Sequence, residues 1–327
     1  MKITASHLAL GLGFFFLHHL PLAKAAEIYP VRPIRLIIPY APGGNADIQG
    51  RYVAERLTAA LGKQVVVDNR PGANSIIGTD LAVHSPADGY TLLIVASAHA
   101  VNPSIVSKLP YDTLKDLQPI SLVGSTPLIF VANSGLPANN LKELVALAKS
   151  RPGGLNYGSS GNGSPANLAG ELFNLMAGVK LVHVPYKGTA AAATDVMSGQ
   201  IQVGFPSMTS VMPLVKAGKL KAYAITAAKR SALAPELPTM AEAGVPGYEA
   251  SIWNGLLAPA GTPKAIVQRI NQATVQSLNS SEARKRYAAI GADVLYCSPQ
   301  EFDAFIRSEM TKWSKVIRES GMRVDLL

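Results

Sequence analysis

Residues 39–51 read PYAPGGNADIQGR, behind the apolar run Ile34-Arg35-Leu36-Ile37-Ile38 and ahead of a helix-like run from Asp47 to Leu61. A strand, a two-glycine turn and a helix in that order aim free backbone N–H groups and the positive end of the helix dipole at one point, which suits an anion. The pattern recurs. Gly158 to Gly163 (GSSGNG) follows the short stretch Leu155-Asn156-Tyr157, and Ser164-Pro165 then opens a helix as N-cap and first helical residue. Ser97-Ala98-His99, Tyr186-Lys187-Gly188 and Pro206-Ser207 stand at further strand ends. Lys187 is the one cation in these loops, so contact with an anion is favoured over a solvated loop charge. Asp47 is expected to cap its helix, His99 is open between ligand and core, and Trp253 is expected to pack at a hinge.

Catalytic and metal chemistry find little support. Past residue 25 the histidines are His84, His99 and His183, with no H-x-x-x-H or C-x-x-C spacing, and Cys297 is the single cysteine. Gly161 to Ala166 satisfies G-x-G-x-x-A, but about 20 residues on, where a ribose-binding acid belongs, stands Leu181-Val182-His183-Val184. No phosphate-cradling G-x-x-x-x-G-K-[ST] and no G-x-S-x-G is present. Ser160 and Ser207 are read as hydrogen-bond donors. The expectation is binding, without cofactor, metal or catalytic residue.

The elements that position these loops fall into two similar series. The first is βαβαβ: Ile34–Ile38, the helix to Leu61, Val65–Val67, a helix near Ser75–His84, Thr91–Val95, and a short helix after Asn102-Pro103. Pro119 to Asn133 is apolar for longer than one strand and is interrupted by Gly124-Ser125-Thr126-Pro127, which predicts a strand that leaves one lobe and enters another. The second series carries strands at Leu155–Tyr157, Leu181–Val184, Ile201–Phe205 and Lys221–Thr226, each of the first three followed by a helix. Ala250 to Pro259 is the return crossing. The remainder is mainly helical, and Phe302, Phe305, Ile306, Met310, Trp313 and Val316 share one apolar face of the last helix, as core residues. The predicted fold is α/β, two-lobed, with mostly parallel sheets joined by two crossing strands. Residues 26–124 and 252–327 form lobe one, and 125–251 lobe two.

The chain has 327 residues, with 28 glycines, 23 prolines and 48% apolar residues, enough for two real cores. Lys2, the apolar run Leu8–Leu17 and Ala23-Lys24-Ala25 make an export signal cleaved after Ala25. Its removal takes two lysines from the formal charge of +9, leaving +7. The basic residues are scattered without interleaved aromatics, so nucleic acid is not an expected partner and the charge steers small anions.

The order YPVRPIRLIIPYAPGG, VVVDNRPGAN, SPADGYTLL, NPS, YGSSGNGSP, VPYKG and LPT-x-x-E-x-G-x-P-G-Y, running from Tyr29 to Tyr248, resembles the substrate-binding proteins of tripartite tricarboxylate transporters, the Bug-type receptors. The resemblance implies a periplasmic Venus-flytrap fold of type II kind, acting as a monomer. It further implies capture of a small carboxylate and delivery to a membrane permease. It carries ligand contact onto Pro42, Gly43, Gly44, Asn45 and Asp47 on one side and Ser159, Ser160, Gly163 and Ser164 on the other. Tyr186, Lys187 and Gly188 lie nearby, and Ser97, His99 and Ser207 complete the candidate loops. One departure is Gly50 where the family often has alanine, and a glycine there weakens the helix by up to ~1 kcal/mol. Two other readings stay open: an exported α/β hydrolase acting on a small carboxylate ester, and a ligand sensor for a membrane kinase.

Overall fold

The computed structural model describes residues 29–322; the export signal expected over residues 1–25, with its cleavage after Ala25, lies outside the described residues. The first series runs β1 (Ile34–Ile38), α1 (Asn45–Leu61), β2 (Val65–Asn69), α2 (Ile76–Val83), β3 (Thr91–Ala96), α3 (Ala98–Ile105) and β4 (Leu117–Thr126). The second runs β5 (Ile129–Asn133), α4 (Leu141–Ser150), β6 (Asn156–Ser159), α5 (Pro165–Ala177), β7 (Val182–Pro185), α6 (Thr189–Ser198), β8 (Val203–Gly204), α7 (Met208–Lys216) and β9 (Leu220–Ile225). The chain returns through β10 (Ile252–Pro259) to α8 (Lys264–Leu278), α9 (Ser281–Ala289) and α10 (Pro299–Ser320).

Two five-stranded sheets result, ordered β2-β1-β3-β10-β4 and β7-β6-β8-β5-β9. In each, the first three strands pair parallel, and the fourth pairs antiparallel to both its neighbours. Four strands of each sheet therefore run one way and one runs against them. The reversed member is the strand that has just crossed from the other lobe: β10 in the first sheet, β5 in the second. Strands β1 and β3 read as nearly unbroken apolar runs because helices cover both sheet faces, and all six residues of β3 are buried.

The long apolar segment 119–133 splits between β4 and β5 at Pro127-Leu128, since proline cannot donate to a ladder. The second crossing passes beside the first, with Ile252 of β10 opposite Thr126 of β4, and the end of β9 lies against the same junction. The Thr226 N–H donates to the Leu128 carbonyl at 2.9 Å, and the Leu128 N–H donates to Thr226 Oγ1 at 2.9 Å. Three expectations shift. The helix placed after Asn102-Pro103 starts at Ala98 and holds Pro103 inside, ending two residues later. The strand expected over Ile201–Phe205 shortens to Val203-Gly204. Asp293, expected in the helical C-terminal part, instead bridges Ser125 of β4.

Gly50 is a packing requirement rather than a weak point. A Cβ there would lie 2.6 Å from Ile38 Cδ1 and 3.2 Å from Ile94 Cγ1, so glycine lets α1 approach the sheet closely. The aromatic face of α10 is core, as expected: Trp253 meets the edges of Phe302 and Phe305 at centroid distances of 5.9 and 5.4 Å. Ser298 and Glu301 close a capping box at its start. This helix packs on α3 and β4 of lobe one and also on α5 of lobe two, so one apolar cluster runs through both lobes.

Candidate functional site

Six helices follow the forward strands: α1, α2 and α3 in lobe one, α5, α6 and α7 in lobe two. In open α/β sheets ligands bind at these strand ends. Five of the six, all but α5, start without a side-chain cap. Of the four helices that start elsewhere, α4, α9 and α10 are capped by Asn140, Ser280 and Ser298, and α8, behind Pro263, has no side-chain cap. An uncapped first turn presents N–H donors and the positive end of the dipole to whatever lies in front of it.

At α1 the loop is held from within lobe one. Gly43 has φ +81°, a left-handed conformation that favours glycine, and its N–H donates to Asp47 Oδ2 at 2.9 Å. Asp47 also accepts from Arg51 Nε at 2.9 Å and Asn69 Nδ2 at 2.8 Å. Burial alone would push this carboxyl up, but the bonds from Arg51, Gly43 and Asn69 prevail and hold it below its ordinary value. Both oxygens of Asp47 are thus engaged in shaping the loop. Gly44 is the N-cap with an extended backbone at φ −74°, so its lack of a side chain matters for access rather than for dihedral freedom. Pro42, Gly43 and Gly44 are exposed. Asn45 is tied to both crossings: its amide donates to Thr126 Oγ1 and accepts from Gln49 Nε2 at 2.9 Å, while Gln49 Oε1 accepts from Asn254 Nδ2 at 3.0 Å.

A cavity of ≈ 170 Å³ opens between the lobes. From lobe one it is lined by Asn74, Ser97, Ala98 and Val101, and from lobe two by Asn162, Gly163 and Ser164. Ser97, Gly163 and Ser164 are therefore brought together across the cleft. Asn74 and Asn162 were not singled out from the sequence, although both sit inside the motifs quoted above. Ala73, Asn74 and Ser75 take φ values of +45°, +50° and +74°, three successive left-handed residues without glycine. Such strain costs of order 1–3 kcal/mol per residue and gathers at functional sites. Asn102, fully buried, holds the turn by receiving Asn74 Nδ2 at 2.7 Å and donating to the Asn74 carbonyl at 3.0 Å.

Lobe two supports its loops from behind. Gly163 N–H donates to Asn167 Oδ1 at 2.9 Å, Asn167 Nδ2 to the Tyr157 hydroxyl at 2.8 Å, and that hydroxyl to Glu171 at 2.5 Å. The Tyr186 hydroxyl donates to Asp195 at 2.7 Å, pinning the PYKG loop to α6, and burial together with that carboxylate pushes it up to about 12. Lys187 is exposed, Gly188 has φ +126°, and Ser207 Oγ bonds Ser210 Oγ at 3.1 Å. Ser159 and Ser160 line a small lobe-two recess beside the start of α6.

Two histidines are resolved by their surroundings. His99 is 2% exposed, both ring nitrogens are buried without a partner, and burial pushes its pKa down to about 4. Cleft-lining Ala98, Val101 and Ile105 share one face of α3, and His99 is absent from that lining. Ser159 Oγ lies 2.6 Å from His183 Nε2, the nearest approach to a nucleophile and base. Yet Ser159 is 1% exposed and its hydroxyl is engaged by both the N–H and the carbonyl of Gly161 at 3.0 Å. His183 makes no hydrogen bond to a carboxylate among the described residues, so the pair lacks the group that would orient a base. It shapes the GSSGNG loop.

The family model for the tripartite tricarboxylate transporter family receptor matches residues 50–322. Protein BugT of Bordetella pertussis is 39% identical over 302 residues, 92% of this chain and 93% of its own. A solved structure of R. palustris Rpa4515 with adipate is 34% identical, covers 90% of this chain and 99% of its own, and superposes with a TM-score of 0.72. A solute-binding protein from Polaromonas, solved with no ligand, is 28% identical, covers 89% and 99%, and reaches 0.81. The chain belongs to the tripartite tricarboxylate transporter family receptors, two-lobed solute-binding proteins of the periplasm rather than enzymes.

Proposed function

We propose that this receptor captures a small carboxylate between its lobes and delivers it to a membrane permease of the tripartite tricarboxylate type. The observation that carries the reading is the cross-lobe cavity in which the start of α3 faces Asn162, Gly163 and Ser164. The uncapped start of α3 on the lobe-one side favours an anion, and no cation of the described residues lines this cavity, so backbone N–H groups and neutral side chains do the binding. Adipate in a relative fits such a site. Gly43, Gly44, Asn45, Ser97, Ser160, Gly163, Ser164, Lys187 and Gly188 are the proposed contacts, with Asp47, Ser159 and Tyr186 holding loops. Asn74 and Asn162 join the contacts.

Residues 26–124 with 252–327, and 125–251, are the proposed moving lobes, turning about Pro127-Leu128 and the start of β10. The higher TM-score to the ligand-free relative, despite its lower identity, supports a ligand-free arrangement of the lobes here. A thermal-shift screen of C4 to C8 mono- and dicarboxylates is expected to find a stabilising ligand that mass spectrometry recovers unchanged. Small-angle scattering should show compaction with it. Absence of stabilisation by any carboxylate, or recovery of a hydrolysed product, would overturn the reading.

A further inference from the structure

A separate cavity of ≈ 390 Å³ lies against the crossing strands and shares no lining residue with the cleft. One wall is the segment after β9, from Ala227 to Ala232, anchored to lobe two by buried Ala227. The facing wall is Asp293, Leu295 and Phe305, from lobe one and α10, with Trp253 of β10 between them. A rotation of the lobes changes the separation of these walls. An occupant that fits one separation better than another therefore biases the lobe equilibrium by that difference in affinity.

The charges left unpaired in this cavity have one sign in its interior. Lys312 is paired with Glu309, whose other oxygen accepts both indole N–H groups, from Trp253 at 2.9 Å and Trp313 at 3.0 Å. Arg230 at the mouth is tied to Glu242 at 2.8 Å, and Lys229 is exposed. The half-buried Glu249 carboxylate accepts no hydrogen bond and forms no ion pair within 4.0 Å among the described residues. The Asp293 carboxylate accepts, among the described residues, only the Ser231 hydroxyl, at 3.3 Å. Burial pushes both carboxyls above their ordinary range, with Lys312 and the Ser231 hydroxyl offsetting only part of it. Ser251 Oγ is buried in the same wall without a partner.

We propose that this hinge cavity is a second ligand site, for an organic ammonium with an aromatic or branched apolar body, whose cation is answered by Glu249 and Asp293 and whose body lies on Trp253 and Phe305. Carboxylates and aromatic faces both favour a cation in a partly desolvated site. Ser251 Oγ supplies an acceptor for a further ammonium proton. Because the walls belong to different lobes, occupancy shifts closure, and so modulates the cleft from a distance. This goes beyond the carboxylate reading and does not depend on it.

Trp253 and Trp313 are the only tryptophans of the chain, and both bond the Glu309 that lines this cavity, so intrinsic fluorescence reports on it. The full chain is titrated at pH 7.5 with phenethylammonium and with its neutral isostere 2-phenylethanol. The expected result is a saturable change with the ammonium, about tenfold tighter than with the alcohol, the margin of a charge-assisted contact. Glu249→Gln with Asp293→Asn is expected to remove that margin. Ala232→Phe, an exposed position filling the mouth, is expected to abolish the response while leaving the fold intact. The radius of gyration should shift on saturation. Equal affinity for ammonium and alcohol, wild-type binding by Ala232→Phe, or an unchanged radius at saturation would overturn the proposal.

Discussion

Replacing His99 by leucine isolates the energetic consequence of a histidine that lies buried and unpartnered. In the folded chain its pKa falls to about 4 through burial, against the ordinary 6.5. At pH 7.5 the imidazole is neutral in both states, and the variant gains about 1–3 kcal/mol because two unsatisfied ring nitrogens are removed. Below 6.5 the unfolded chain binds a proton that the folded chain refuses. The stability tied to neutral His99 is therefore fully present above pH 6.5 and is lost progressively as pH falls towards 4. At ~1.4 kcal/mol per pH unit over that window, the upper bound is roughly 3 kcal/mol. Urea unfolding of wild type and His99→Leu at pH 7.5, 6.0 and 4.5 measures it, and the difference between the two proteins cancels the acid sensitivity of Asp47 and Asp68, which both share. The variant's advantage should grow steadily from pH 7.5 to 4.5. An advantage that stays constant across that range would refute the argument, since it would mean that the imidazole is protonated when folded. Ligand affinity at pH 7.5 should not change, because His99 is turned away from the cleft-lining face of α3.

Asp47→Ala should cost about 1–3 kcal/mol by releasing three donors, with exposed Arg51 and Gly43 recovering water; equal melting temperatures at pH 7 would remove the loop-holding role. The contribution of Asp47 is present above the ordinary carboxylate range and is lost as pH falls through its lowered folded value, so wild type and variant should converge in melting temperature as the pH is taken below the ordinary carboxylate range. Asn102→Ala removes both bonds that hold the left-handed turn at Ala73 to Ser75, and carboxylate affinity should fall roughly thirtyfold, at ~1 kcal/mol for each bond; calorimetry with whichever acid the screen identifies checks it. Gly255→Ala places a Cβ 2.0 Å from Phe302 Cζ, where ring and strand must both shift, and a loss of ~1–3 kcal/mol or more is expected in thermal unfolding.

The two-lobed plan was legible because each strand-to-helix junction is punctuated by glycine, serine or proline, and because the apolar segment 119–133 is too long for a single strand while a second apolar segment at 250–259 offers the return crossing. What failed was local. Pro103 reads as a helix start, yet the preceding Ala98 to Asn102 already packs against α10, and tertiary burial outweighs the missing N–H. Ile201 to Phe205 has a strand's composition, but only Val203 and Gly204 pair in ladder register with β5 and β6, with Gln202 bonded to Asn133 and Asn156 at the ladder's end. The glycines of the cleft could be read from the sequence since they stand at turns. Asn74 could not, because its left-handed turn is imposed by Asn102, 28 residues away. His99 could not be resolved either, since a histidine on a short helix has the same local pattern whether it faces ligand or core.

The chain of amides from Thr126 through Asn45 and Gln49 to Asn254 gives the site a property that no single motif shows. Asn45 is the first residue of α1, while Thr126 ends one crossing strand and Asn254 lies in the other. Gly124 leaves room for this chain, since a Cβ there would lie 2.6 Å from Gln49 Oε1 and 2.5 Å from Tyr287 Cε1. The first turn of α1, a proposed anion contact, is therefore bonded directly to both crossing segments. A ligand that pulls on the first turn of α1 acts on the crossings through three side-chain bonds rather than through the packed sheet, and buried amide networks of this kind have discrete alternatives rather than a continuous range. In the proposed closure these bonds are the ones to exchange, which would give the polar side chains at a junction otherwise built from apolar strands a role.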